Sequence, residues 1–146
     1  MNKIAQNLIA AIESARPRLL LLGEIKAALK PAPEKWSPKE IIGHLIDSAA
    51  NNHQRFVRAQ AGITDLQAYR YAQEQWVEVQ QYQASDWQTL VSLWYFYNTH
   101  LAHVIAHVKP EFTENQLDVW DEPATLRFVA VDYVRHLNHH LTQIFS

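Results

Sequence analysis

Four stretches of this chain repeat apolar residues every three or four positions, a period that matches the turn of an α-helix rather than the two-residue alternation of a strand. The first runs from about Lys3 to Leu29, with Ile4, Leu8, Ile12, Ala15, Leu19 and Leu22 on the repeat, and Pro31 and Pro33 close it. Pro17 lies inside it. A proline has no N–H for the helical ladder, so a kink or two abutting helices are expected there. The second stretch opens on Trp36-Ser37-Pro38-Lys39-Glu40-Ile41, which places Ser at the N-cap, Pro at N1 and Glu at N3 of a capping box. Trp36 stands where it can staple onto Ile41, and the helix should run from Pro38 to about Gln60 and stop near Gly62. Residues 61–84 are weakly patterned and predict a long connection, with a short helical or irregular piece around Glu74–Gln81. Ser85 and Asp86 cap a third helix through about Val108, closed by Pro110. After a loop holding Trp120 and Pro123, Thr125 opens a fourth helix that reaches Phe145.

Only 3 glycines in 146 residues leave little material for hairpin turns, so the expected class is all-α, a four-helix bundle forming one domain over residues 1–146. A chain that is 48% apolar, with 5 Trp, 6 Tyr and 5 Phe, can bury a core of that size and does not read as disordered. Several function classes drop out. A formal charge of -2 and the lack of any Lys/Arg block leave no footprint for nucleic acid. With no cysteine, disulfides, thiolate-held zinc and a cysteine nucleophile are excluded, and a cytoplasmic location fits. Met1 to Ala10 lack the apolar run of a signal peptide, and Leu19 to Leu22 is too short to span a bilayer, so no membrane partner is expected. No His-Glu-x-x-His, Gly-rich phosphate loop or Gly-x-Ser-x-Gly is present.

Eight histidines are the compositional oddity. On the fourth helix, Leu126, Ala130, Tyr133, Val134, Leu137, Leu141 and Ile144 form the apolar arc. His136 and His140 flank it, in a stripe with Val129 and Tyr133, while His139 turns to the polar side. Two imidazoles at i and i+4 lie one turn apart and can share an ion. On the second helix His44, Ser48, Asn51 and Arg55 make a polar stripe bordering the apolar arc, with Asp47 slightly further out. Such a stripe suits a helix lining a cavity, or a partly wet face. Asp47 or Asp132 could hold the second ring nitrogen of a ligating histidine, or simply be solvated. A rival set, His100, His103 and His107, shares one face of the third helix, but with Phe96 it lies opposite the core arc. It reads as a solvated face or an oligomer contact.

The segment Trp36-Ser37-Pro38-Lys39-Glu40-Ile41-Ile42-Gly43-His44-Leu45-Ile46-Asp47-Ser48 resembles the second-helix motif of the DinB-like, or YfiT-like, metalloenzymes. Tyr133-Val134-Arg135-His136-Leu137-Asn138-His139-His140-Leu141-Thr142-Gln143-Ile144 resembles that family's fourth-helix motif, and the resemblance extends over essentially the whole chain. It implies an up-down-down-up bundle with a long connection between helices two and three. It also implies a divalent metal, zinc or nickel, held by one histidine of helix two and two of helix four: His44, His136 and His140. A homodimer is implied as well.

Three imidazoles leave metal positions open for a small-molecule substrate. The expected function is a divalent-metal-dependent enzyme, either a hydrolase or a transferase using an external low-molecular-weight thiol. Tyr133, Asn51 and Arg55 could orient an anionic substrate, or serve as ordinary hydrogen bonders at the core edge. The alternatives are a non-catalytic metal-binding or stress-response bundle, and a structural bundle whose histidines are incidental.

Overall fold

A computed structural model of the chain describes residues 1–67 and 70–146. It contains α1 (Asn2–Ala28), α2 (Pro38–Gln60), a short α3 (Gln73–Val79), α4 (Trp87–Ala106) and α5 (Leu126–Phe145), with the strand pair β1 (Gln116–Leu117) and β2 (Ala124–Thr125) ahead of α5. The four long helices form the bundle, and α3 with a 3-10 turn at Tyr82–Ala84 occupies the connection between α2 and α4.

The helix starts follow their capping residues. Ser37 accepts from the Glu40 amide while Glu40 accepts from the Ser37 amide at 2.8 Å, which satisfies two otherwise unpaired helix-end donors. Asp86 accepts from Thr89 N at the head of α4, and Thr125 from Phe128 N at the head of α5. Along α1 the expectation at Pro17 is not met. The helix passes Pro17 and breaks at Gly23, where φ is 75° and ψ 166°. Pro17 and Glu13, whose carbonyl it leaves unbonded, both lie on the exposed face, where water can take that carbonyl. Gly23 has no Cβ and adopts the left-handed region at little cost. The strand pair was not expected from the sequence. Its two residues per strand, Gln116 opposite Thr125 and Leu117 opposite Ala124, are too few for any alternation to register.

Contacts along the helices establish their directions. Lys39, at the start of α2, donates to Ser85 O at 2.7 Å just before α4, and further along His53 meets Tyr97, so α2 and α4 run parallel. Against α5 the order reverses. His44 faces His136, whereas the later Phe56 packs on the earlier Tyr133. Glu13 meets Tyr95 and Glu24 meets Trp87, making α1 antiparallel to α4. The topology is therefore up-down-down-up. Two helices joined in sequence but running the same way need a connection that travels back along the bundle, and residues 61–86 supply it.

The core is built from Leu8, Ile12 and Leu19 of α1, Ile42, Leu45 and Phe56 of α2, Trp87, Trp94 and Leu101 of α4, and Leu126, Leu137 and Leu141 of α5. Helix α2 is the central element: every residue from Lys39 to Ala49 is buried, polar ones included. Many of its polar groups are met by the connection and by the end of α1. Lys39 pairs with Glu24 and also donates to Gln83 O. Glu40 takes Gln83 Nε2 and Lys30. Asp47 accepts from Tyr82 Oη at 2.6 Å and Gln80 Nε2 at 2.7 Å.

Tyr82 reaches Asp47 by lying across Gly43. A Cβ at Gly43 would fall 2.1 Å from Tyr82 Cδ2, well inside contact distance of a buried ring. Gly43→Ala is expected to destabilise the fold by about 1–3 kcal/mol through this overpacking. In urea unfolding, Tyr82→Ala should recover part of the loss when combined with it. Strict additivity of the two changes would show that the ring is not the obstacle.

Candidate metal centre

The capping box sets the phase of α2, and that phase turns His44, seven residues after the Ser37 cap, inward to full burial. Helix α5, antiparallel to it, presents His136 and His140 one turn apart, both half-buried. The three rings converge through Nε2, with His44 to His136 at 3.2 Å and His136 to His140 at 3.1 Å. Among the described residues they form the one group of three or more side chains of metal-ligating type gathered to a point. Nitrogens bound to one zinc ion at about 2.0–2.1 Å sit roughly 2.9–3.4 Å apart for right-angle to tetrahedral geometry, a range that holds both His136 separations, and all three ligand atoms lie within 4.8 Å of one another.

The surroundings favour the ligand form of each ring. Burial, then the neighbouring imidazoles, push His44 down from its ordinary 6.5 to about 3. Burial and His140 bring His136 to about 4, against the opposing pull of Asp132. Burial also lowers His140, opposed by its bond to Gln143. All three are neutral at pH 7, as a divalent cation requires. His140 Nδ1 donates to Gln143 Oε1 at 2.8 Å, which leaves the Nε2 lone pair directed into the cluster. Trp36, one residue ahead of the cap, lies 4.9 Å from the His44 ring and shields it from solvent.

Among the remaining sequence candidates none is bonded to an imidazole of the cluster, and several line a cavity beside it. Neither carboxylate reaches an imidazole: Asp47 is occupied by Tyr82 and Gln80, and Asp132 binds Arg135 through both Nε and Nη2. Asn51 turns back to Asp47 O, a bond within α2. Tyr133 donates to Asn98 Oδ1 in the core, so its hydroxyl is committed to packing helix against helix, although the residue also borders the cavity beside the cluster. Ser48 and Arg55 do face the centre's side of the bundle. With Asn52, Tyr71, Asp132 and His136 they line a cavity of about 100 Å³. On the other flank a groove of about 510 Å³, lined by Trp36, Ile41, His140 and Gln143, reaches the same cluster. Gln143 and Trp36 were not singled out as site residues. The i+3 spacing from His140 and the position next to the cap were the available signals.

His100 and His103 remain exposed on α4 and His107 at its C-terminal cap, and His53 of α2 packs its ring 5.2 Å from His100. His139 is exposed and bonds Gln143.

The family model of the DinB superfamily matches residues 7–144, a span that takes in all three converging histidines. The chain belongs to the DinB superfamily. No curated protein sequence matches it. Among solved structures this DinB-superfamily chain is similar to YfiT from Bacillus subtilis, described as a probable metal-dependent hydrolase with an unusual four-helix bundle topology. The match has a TM-score of 0.85 at 18% identity and covers 98% of this chain and 82% of YfiT. At that identity the likeness establishes the shared four-helix topology.

The depressed histidines make the metal-free protein acid-sensitive. Below about pH 6.5 the unfolded chain takes up protons that folded His44 and His136 refuse until about 3 and about 4. The unfolded state therefore binds more protons across that window, and stability falls as the pH is lowered from 6.5 towards 4. Urea midpoints of metal-free protein at pH 7 and pH 4.5 should show a smaller acid loss for His44→Gln than for wild type. Equal losses would place the sensitivity elsewhere.

Proposed function

We propose that this DinB-superfamily protein is a divalent-metal-dependent enzyme whose ion is held by Nε2 of His44, His136 and His140. The observation that carries the reading is a cluster of three neutral imidazoles reached by a cavity on the His136 side and a groove on the His140 side. A structural site closes with four protein ligands, whereas three leave room for a reacting molecule. When bound, the ion acts as a Lewis acid that acidifies a small nucleophile beside it.

The chain's own residues do the rest. Gln143 holds His140 in the tautomer that offers Nε2. Trp36 keeps water off His44, and the rigid α2–α5 pair holds the three nitrogens in register without reorganisation. Imidazole donors suit zinc and nickel equally, and either serves this reading. With water as the nucleophile the reaction is a hydrolysis, in keeping with the description of YfiT. A second reading, transfer to an external low-molecular-weight thiol, is favoured by the size of the Trp36–His140 groove and by a chain without cysteine. The proposal includes a cytoplasmic homodimer acting on a small molecule without nucleic-acid or membrane partners. Among the described residues no helix is long and apolar enough to cross a membrane.

Elemental analysis of untagged protein should find near-stoichiometric divalent metal. His44→Ala/His136→Ala/His140→Ala should lose it, and His100→Ala/His103→Ala/His107→Ala should keep it. The reverse pattern overturns the assignment. Metal-loaded protein is then assayed against esters and amides, and against thiol cofactors with electrophilic acceptors. Turnover should disappear with a chelator and return with added metal. Bound metal without turnover on either panel would favour a non-catalytic bundle.

A further inference from the structure

We infer that the cavity beside His136 is a recognition site for a carboxylate, with Arg55 as its cationic anchor, so that the substrate is a small carboxylic acid. The inference rests on the proposed reading only for the reacting centre next door. Its own footing is the cavity and the residues around it.

Ser48, Asn52 and Arg55 stand at i, i+4 and i+7 on α2, hence on one face, and that face continues the line of His44 one turn earlier. Arg55 is 7% exposed, Asn52 7% and Ser48 4%, so these polar groups are held away from bulk water yet border a space of about 100 Å³. Such a space corresponds to roughly three water molecules, enough for a carboxylate group and little else. Helical side chains lean towards the N-terminus of their helix, which carries the long Arg55 side chain back in the direction of His44. Asn52 Oδ1 accepts from Arg55 Nη1 at 3.3 Å, and Asn52 Nδ2 is tied to Ser48 O at 2.9 Å, so the guanidinium is steadied by its own helix. From the connection Tyr71 closes the space opposite Ser48, its hydroxyl pushed up to about 12 by burial. It is a neutral donor at any working pH.

Charge decides between anions. Among the described residues the wall holds one guanidinium and one carboxylate, Asp132, which is itself gripped by Arg135 at 3.0 Å and 2.6 Å, while the neighbouring cation, Arg70, is paired with Asp121. That balance offers compensation for a single negative charge rather than two. The planar fork of an arginine matches a carboxylate edge, whereas a phosphate dianion would need a second cation. His136 belongs both to this wall and to the three-imidazole cluster. A molecule anchored here therefore presents atoms close to its carboxylate to the proposed centre.

The test is acetate titration of metal-free and zinc-loaded protein, followed by NMR of the Arg55 guanidinium and the Asn52 side-chain amide. Saturable shifts of both signals in both forms are expected, with affinity reduced about tenfold or more in Arg55→Met at unchanged metal content. Inorganic phosphate should bind more weakly than acetate. No shift in the metal-free form, unchanged affinity in Arg55→Met, or preferential binding of phosphate would each overturn the inference. Should Arg55→Met fail to fold, Arg55→Lys and Tyr71→Phe replace it, and both must weaken acetate binding. If zinc never loads, the proposed function fails, while the metal-free titration still decides this site.

Discussion

Burial of α2 on all sides from Lys39 to Ala49 is the constraint that organises this molecule. A helix in that position would ordinarily be apolar around its circumference, yet this one carries Lys39, Glu40, His44, Asp47, Ser48, Asn51, Asn52 and Arg55 among its buried residues. Each polar group withdrawn from water requires a partner, since an unpaired one costs the full loss of its hydration. The connection between α2 and α4 provides many of them. Gln83 serves Ser37 and Glu40, the carbonyls of Gln83 and Ser85 serve Lys39, and Gln80 and Tyr82 serve Asp47. The connection is a lid for one helix, and Gly43 is the gap through which its tyrosine seats.

The same arrangement accounts for the candidate centre. Lys39, bound to Glu24 and to the carbonyls before α4, gathers α1, α2 and α4 at one end of the bundle. With α2 and α4 parallel, α5 returns antiparallel to α2 and brings His136 and His140 level with His44. Burial then removes the option of charge from these rings. An environment that rejects a proton but retains three lone pairs at one point is suited to a cation that cannot be protonated away at neutral pH. The groups that orient the cluster come from either flank: Trp36 from the residue before the cap, and Gln143 from the turn after His140.

Much of this was legible in the residues, for reasons that differ from place to place. The helix starts at Ser37, Asp86 and Thr125 were readable because capping is local chemistry within four residues. The break in α1 was misplaced because a proline on a wet face is tolerated, and whether Pro17 faces water depends on what α1 packs against. Asp47 illustrates the same limit. From the helical wheel it was a candidate to hold a ligating histidine, but a residue 35 positions away, Tyr82, claims its oxygen. The β1–β2 pair left no trace because two residues per strand are too few for an alternation to show.

The chain alone determined its helices, the polar stripe on α2 and the His136–His140 pair, since those follow from spacing along a 3.6-residue turn. Helix direction and the covering of α2 decided which polar groups meet. Three rings from two helices converge only when those helices run antiparallel in one register. Arg55 borders a cavity only because Tyr71 and α5 close the space around it. Spacing is a property of the chain, whereas convergence is a property of the packing between two helices whose His44 and His136 stand 92 positions apart in the chain.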